Sequence, residues 1–157
     1  AIPNNLFGKH DNFDLQSSHV LPAIIRKIYE AKLNNEDVIL WGDGSPMRQF
    51  TYSKDIAKIL VWLVENECEY DLINIGDREE RSIESVAEVI SDTLNFSGSI
   101  IWNTDMPSGQ MKKTCDTSRL SELGFDYFTD FKEAITNTAM WFEENYQEIS
   151  KSGRQLN

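Results

Sequence analysis

Segments with helical spacing of apolar residues alternate along this chain with short apolar runs of strand length. Residues 19–34 carry apolar side chains three and four positions apart, which predicts an amphipathic helix ended by Asn34-Asn35. Residues 38–41 form a short apolar run that indicates a buried strand. The alternation continues to the C-terminus without an internal repeat or a low-complexity linker. This pattern predicts an α/β fold.

The remaining strands are predicted where apolar runs are bounded by turn residues, at residues 49–52, 72–75 and 100–102. Residues 49–52 alternate polar and aromatic side chains, which is typical of a half-buried strand.

The remaining helices are predicted to start at residues that cap helices: Ser53, Ser82, Asp116 or Thr117, and Asp130. The helix after Ser53 is apolar almost all round over residues 56–64, so we expect it to be buried on more than one side. The short third helix should end at Gly124 in a left-handed conformation. The last helix should carry Phe142 on its buried face, and residues 150–157 should fray.

Length and charge narrow the class of protein. With 157 residues the chain suits one domain, and its net charge of −11 argues against nucleic-acid binding and against attraction to an anionic membrane. The longest nearly apolar run, residues 56–64, is far shorter than the roughly 20 residues of a membrane span. We therefore expect a soluble globular protein.

The cysteines and histidines indicate a protein of a reducing compartment and do not predict a metal site. Cys68 and Cys115 form no paired motif, so we expect two buried, reduced thiols in a cytoplasmic protein. With two histidines in the chain, no zinc-ligand spacing is found. The sequence opens at Ala1 without a leader pattern, and we expect it to be a piece of a longer polypeptide.

The first polar cluster, residues 3–13, follows an apolar start and is rich in Asn and Gly. Loops at strand ends are where open α/β sheets place ligands, although an ordinary polar loop fits equally well. His19 lies shortly beyond it, directly before a predicted helix. Nothing in composition alone gives His19 a proton-transfer role.

The second polar cluster, residues 41–50, combines a Trp that could stack on a base with two glycines and an Arg suited to phosphate. The alternative is a hairpin with a surface Arg.

The third polar cluster, residues 107–113, holds adjacent lysines in a chain poor in positive charge. Lysines in such a run are usually solvated, and phosphate recognition is the alternative.

Together, in order and approximate spacing, these clusters resemble the C-terminal part of the extended short-chain dehydrogenase/reductases that process nucleotide sugars. The general superfamily features are Pro3-x-Asn5-x-Phe7-Gly8 and Gly42-x-Gly44-x-x-x-Arg48-x-Phe50. More specific strings resemble the GDP-4-keto-6-deoxy-mannose epimerase-reductases: residues 10–13, 18–22, 41–42, 46–48 and 109–114. The resemblance covers essentially the whole chain.

The resemblance implies an activity and its cofactor. Such enzymes bind NADP in an N-terminal Rossmann domain and a GDP-sugar mainly through the C-terminal part. They epimerise the keto sugar at its third and fifth carbons and reduce the ketone with NADPH to give GDP-L-fucose. For the full-length protein we expect a cytoplasmic homodimer.

The resemblance also implies roles for individual residues. His19 would be the acid/base partner in epimerisation and would contact the cofactor. The other cofactor-binding residues would be Pro3, Asn4, Asn5 and Leu6, on the nicotinamide side. The substrate-binding residues would be Asn5, Val20, Lys27, Trp41, Arg48, Ser108 and Lys113. Of these, Trp41 would pack on guanine and Arg48 would pair with the diphosphate.

The sequence departs from the family pattern in several places. Lys9 stands where a Pro is usual, and Ser108 stands where an Asp is expected. No GxxGxxG or Tyr-x-x-x-Lys motif occurs, and neither cysteine matches the epimerising Cys. We therefore expect residues 1–157 to be a single GDP-sugar-binding domain, inactive alone, with residues 56–64 and 72–75 packing on an absent Rossmann domain.

Two other interpretations remain at this point. One is the corresponding part of another nucleotide-sugar epimerase or dehydratase. The other is a non-catalytic interaction module on the same fold.

Overall fold

A computed structural model describes residues 1–152 of the chain. Within them, short strands alternate with helices, as the periodicities predict. The elements in chain order are β1 (Ile2–Pro3), β2 (Asn5–Phe7), α1 (Val20–Asn34), β3 (Val38–Trp41), β4 (Met47–Tyr52), α2 (Ser53–Glu65), β5 (Asn74–Ile75), β6 (Glu80–Ser82), α3 (Ile83–Thr93), β7 (Ile100–Asn103), β8 (Lys112–Lys113), α4 (Ser118–Glu122) and α5 (Phe131–Ser152).

The strands pair into three small groups, and most of the pairs are parallel. Strand β1 pairs with β5, and β3 pairs with β7, both in parallel. The third group centres on β4, which is parallel to β2 and β8 and antiparallel to β6. Strand β4 therefore brings the loops that follow β2 and precede β8 to one place.

Two hydrophobic clusters hold these elements together. The larger cluster packs α1, α3 and α5 against β3, and Ile25, Ile28 and Phe142 are fully buried in it. The smaller cluster lies between α2, β5 and α4, around Ile59 and Leu120. The three polar clusters, residues 3–13, 41–50 and 107–113, each include at least one end of a strand.

Several predicted boundaries are confirmed. Helix α1 ends where Asn35 adopts a left-handed conformation with a φ of 55°. Ser82 caps α3, since its hydroxyl accepts a hydrogen bond from the Ser85 N–H at 3.0 Å. Asp130 accepts the Glu133 N–H at 3.0 Å before α5, and Gly124 follows α4 with a φ of 98°. Local sequence rules therefore locate these helix ends correctly.

Ser53 is not a helix cap, contrary to the prediction. Helix α2 begins at Ser53 itself, after an extended Tyr52 that makes no side-chain cap bond. The Ser53 hydroxyl packs so closely against Gly8 that a Cβ on that glycine would clash with it. The Ser53 side chain instead packs against the end of β2.

The burial prediction for β4 was wrong, and the burial of α2 on more than one side is not seen within residues 1–152. All of residues 49–52 are buried, because β4 is covered on both faces rather than one. Helix α2 is buried along one side only, and Leu60, Val61 and Val64 are exposed. Within residues 1–152 nothing covers that apolar side of α2.

Three smaller expectations also need correction. Strand β5 begins at Asn74, and Leu72 lies outside it and is exposed. Cys68 and Cys115 are free thiols but only half-buried. Helix α5 continues through Ser152, and residues 153–157 of the predicted frayed tail lie outside the described residues.

Candidate functional site

Three adjoining cavities run along the strand ends and the start of α1. The first, of about 670 Å³, is lined by residues 2–11 and by the segment 113–115. The second, of about 390 Å³, lies beside Arg48 and Gln110. The third, of about 300 Å³, is lined by Trp41 and its neighbours.

Shared residues join the three cavities in a row. The first and second have Asn5, Leu6, His19 and Lys113 in common. The second and third have Ser18 and Val20 in common. A single elongated ligand could therefore occupy all three.

Every sequence-predicted site residue lines at least one of these cavities. The residues predicted to bind the cofactor, Pro3, Asn4, Asn5, Leu6 and His19, line the first cavity. The residues predicted to bind substrate divide between the other two: Arg48, Lys113 and Asn5 line the second, Lys27, Trp41 and Ser108 line the third, and Val20 lines both. Their individual roles stay predictions.

The second cavity holds two cations fixed by strand pairing. Arg48 and Lys113 are register partners of the parallel strands β4 and β8. The Arg48 guanidinium donates to the Met47 carbonyl at 2.7 Å, and neither Arg48 nor Lys113 forms an ion pair with any carboxylate of residues 1–152. This arrangement can bind an anion.

The third cavity presents an aromatic face beside a cation. The Trp41 side chain is 59% exposed at the end of β3, which leaves its ring available for stacking. The Lys27 Nζ atom lies 5.3 Å from the centre of that ring and 3.4 Å from the Ile39 carbonyl oxygen. Burial lowers the pKa of Lys27.

Gly42 lets the loop before β8 pack closely against the loop after β3. Its φ is 77°, and a Cβ there would lie 2.6 Å from the Ser108 Oγ atom and 2.8 Å from its Cα. The Ser108 hydroxyl lies 3.4 Å from Asp43 Oδ1, which also accepts the Ser45 hydroxyl at 2.8 Å. Only glycine at position 42 allows these two loops to meet.

His19 lies at the mouth of the first and second cavities, directly before α1. It occupies the N-cap position, but its side chain makes no cap hydrogen bond. Burial raises the pKa of the nearby Asp11, while the Asn12 N–H and the charge of His19 oppose that rise. His19 is exposed and lines both the first and the second cavity.

The side chains of Asn4 and Asn5 hold the backbone in place. The Asn4 amide donates to the Asp77 carbonyl at 2.9 Å and accepts the Thr51 hydroxyl at 2.6 Å. The Asn5 amide donates to the Gln49 carbonyl at 2.7 Å. Asn4 therefore links the chain after β1 to β4 and to the segment after β5.

Gln49 is a site-positioning residue that sequence reasoning missed. It is 3% exposed, and its amide donates to the carbonyls of Arg78 and Cys115 and accepts the Cys115 N–H at 2.9 Å. These bonds fix the segment after Lys113 against β4. The alternation of polar and aromatic side chains over residues 49–52 predicted a half-buried strand, so it gave no signal that Gln49 is buried.

Metal and membrane features are not found in the part of the chain that the structure describes. Residues 1–152 contain no group of three or more His, Cys, Asp or Glu side chains placed to hold a metal ion. None of their helices has both the length and the apolar character needed to cross a bilayer.

Known proteins resemble this chain in sequence and in structure. The pattern of the NAD dependent epimerase/dehydratase family matches residues 1–76. The GDP-L-fucose synthase of Dictyostelium discoideum is 40% identical over 96% of this chain and 48% of its own length. The crystal structure of a GDP-L-fucose synthetase from Naegleria fowleri bound to NADP superposes with a TM-score of 0.88 at 41% identity, over 94% of this chain and 47% of that one. The chain is a homologue of the GDP-L-fucose synthases.

The match covers only part of each GDP-L-fucose synthase. The Escherichia coli GDP-L-fucose synthase is 33% identical over 92% of this chain and 48% of its own length. The chain thus spans about half the length of the curated relatives it matches, which is consistent with their C-terminal part. The architecture is that of the extended short-chain dehydrogenase/reductases, as the sequence predicted.

Proposed function

We propose that this chain is the GDP-sugar-binding part of a GDP-L-fucose synthase. The complete enzyme converts GDP-4-keto-6-deoxy-D-mannose to GDP-L-fucose by 3,5-epimerisation and NADPH-dependent reduction. The observation that carries the proposal is the row of cavities that joins an exposed indole to two unpaired cations. The named relatives support the same function.

The electrostatics of the site favour a nucleoside diphosphate. The chain has a net charge of −11, which by itself repels anions. Against that background Arg48 and Lys113 lie side by side without a carboxylate partner among residues 1–152, and like charges placed opposite each other on paired strands are destabilising. A bound diphosphate would offset this repulsion with charge-assisted hydrogen bonds.

The third cavity suits the nucleobase. Stacking of the base on Trp41 would bury the exposed indole face, and Lys27 above the same ring would add a cation near the base. The keto sugar would then lie on the other side of the diphosphate, beside His19. In this arrangement His19 would exchange protons at the carbons adjacent to the ketone, as an acid/base group.

The residues present fit one end of NADP. Pro3, Asn4, Asn5, Leu6 and His19 line the first cavity and would contact the nicotinamide, which supplies hydride when bound. The chain has no GxxGxxG loop to cradle the dinucleotide phosphates. For residues 1–157 alone we expect a dissociation constant for NADP above about 10 μM, or a binding free energy weaker than about −7 kcal/mol.

The cellular setting is part of the same proposal. Two free, unpaired thiols suit a reducing compartment, so we propose a cytoplasmic enzyme. We propose a homodimer as the state of the full-length protein.

A reconstitution assay tests the proposed activity. The chain is joined to its natural upstream nucleotide-binding segment, and NADPH consumption with GDP-4-keto-6-deoxymannose is followed by absorbance. We expect turnover that His19→Gln abolishes, because the proposed acid/base group is lost. Turnover only with UDP- or dTDP-linked keto sugars would indicate a different nucleotide-sugar enzyme. No turnover with any of them would indicate a non-catalytic module.

A further inference from the structure

Ser18 lies at the junction of the second and third cavities. It and Val20 are the residues that line both. Among residues 1–152, its hydroxyl oxygen is buried and has no hydrogen-bond partner. Val20 offers only an apolar surface there, so Ser18 supplies the polar side chain at the junction.

Neither the turn that ends at Ser18 nor helix α1 after it uses the Ser18 hydroxyl as a hydrogen-bonding group. The Ser18 N–H donates to the Asp14 carbonyl at 2.7 Å, so its backbone is held by a turn. The N-cap of α1 is His19, and no side chain caps that helix. By contrast, the Ser82 hydroxyl caps α3. A buried hydroxyl that bonds to nothing destabilises the folded state, so its presence calls for a partner that the protein itself does not provide.

The chemistry of the two cavities identifies that partner. One cavity offers a stacking surface for a base and the other offers cations for a diphosphate. In a nucleoside diphosphate, the ribose connects these two groups. A ligand placed with its base on Trp41 and its phosphates at Arg48 must pass its ribose through the junction at Ser18.

We propose that Ser18 is a ribose-binding residue, an inference that rests on the proposed function. Rotation about χ1 between staggered positions turns the Ser18 hydroxyl from its buried position toward the cavities. There it hydrogen-bonds to a ribose hydroxyl of the bound GDP-sugar. The fold thus keeps, at the junction of the two cavities, a hydroxyl that makes no hydrogen bond within residues 1–152 and can bond to the nucleotide.

Calorimetric titration of residues 1–157 with GDP and with 2′,3′-dideoxy-GDP tests this inference. We expect Ser18→Ala to weaken GDP binding about three- to tenfold, as for loss of one ordinary hydrogen bond. The same variant should bind dideoxy-GDP as the wild-type chain does. Its melting temperature without ligand should not fall, since no bond within the protein is lost.

Ser82→Ala is the matched control. We expect it to lower the melting temperature through loss of the α3 cap and to leave GDP affinity unchanged. The inference is overturned if Ser18→Ala binds GDP as tightly as wild type, or if it weakens GDP and dideoxy-GDP equally. Failure of the wild-type chain to bind GDP would overturn the proposed function as well, so the two failures are distinguishable.

Discussion

Arg48 and Lys113 are register partners on parallel strands, although they are far apart in the sequence. Neither has a carboxylate partner within residues 1–152, and both line the same cavity. Pairing of β4 with β8 therefore fixes the spacing of two cations through the backbone. Such an arrangement is favourable once an anion lies between them.

Removing Arg48 should weaken nucleotide binding. We expect Arg48→Ala to lower the affinity for GDP by about 1.5–3 kcal/mol, because a charge-assisted hydrogen bond to the diphosphate is lost. Lys113→Ala should weaken binding in the same direction. Calorimetry at low and at high salt checks both variants, and the losses should shrink as salt screens the charges.

Lys112 provides the control for this experiment. It is adjacent to Lys113, but its Nζ pairs with Glu80 at 2.7 Å and it lines none of the three cavities. We expect Lys112→Ala to leave the GDP affinity unchanged. Equal losses for Lys112→Ala and Arg48→Ala would mean that only overall charge matters and would remove Arg48 from the site.

Gln49 should be essential for the packing of the segment after β8. Gln49→Ala removes hydrogen bonds to buried backbone groups, and we expect the free energy of unfolding to fall by about 1–3 kcal/mol. The Cys115 thiol should then react faster with an alkylating reagent, because Gln49 contacts it at 3.5 Å. Mass spectrometry can compare this rate with that of Cys68. An unchanged Cys115 rate together with unchanged stability would contradict the positioning role.

Asp11 should make stability depend on pH. Burial raises its pKa above the usual value of 3.8, so the folded state holds the proton more tightly than the unfolded state does. This contribution to stability is fully present below pH 3.8 and is lost as the pH rises through the folded-state pKa. Asp11→Asn should therefore raise the melting temperature at pH 7, and the gain should vanish near pH 3. A gain that persists unchanged at pH 3 would contradict this account.

The exposed apolar side of α2 should promote self-association of the isolated chain. Val64 is 88% exposed and Val61 is 57% exposed, and no part of residues 1–152 covers them. We expect Val61→Lys/Val64→Lys to shift the chain toward monomer in sedimentation experiments without lowering its melting temperature. Leu33→Lys on α1 is the control, because Leu33 is also exposed. A wild-type chain that is monomeric at all concentrations would contradict the prediction.

Local signals in the sequence were sufficient to predict the main elements and a set of residues that line the three cavities. Helix α1 follows from its apolar spacing, and the caps at Ser82 and Asp130 follow from side chains that bond the next turn. Most of these cavity-lining residues were predicted through short motif strings, each of which is contiguous in the sequence. Such strings need no knowledge of distant contacts.

Features that depend on distant segments could not be predicted. Strand β8 has only two residues, and it exists because Met47 and Arg48 offer it backbone partners. Gln49 is buried because Cys115 and Arg78 arrive from elsewhere to satisfy its amide. The alternating pattern of residues 49–52 therefore indicated a half-exposed strand, while the tertiary structure covers both faces. The burial of the Ser18 hydroxyl without a hydrogen-bond partner among residues 1–152 likewise depends on the three-dimensional structure.

The most direct test of the central claim is a titration of this chain with GDP, UDP and dTDP under identical conditions. We predict measurable binding of all three through the shared diphosphate at Arg48 and Lys113, with GDP bound most tightly. In the same titration, Arg48→Ala should weaken GDP binding and Lys112→Ala should leave it unchanged. Equal affinity for the three nucleotides, or no binding of GDP, would contradict the assignment of these cavities to a GDP-sugar.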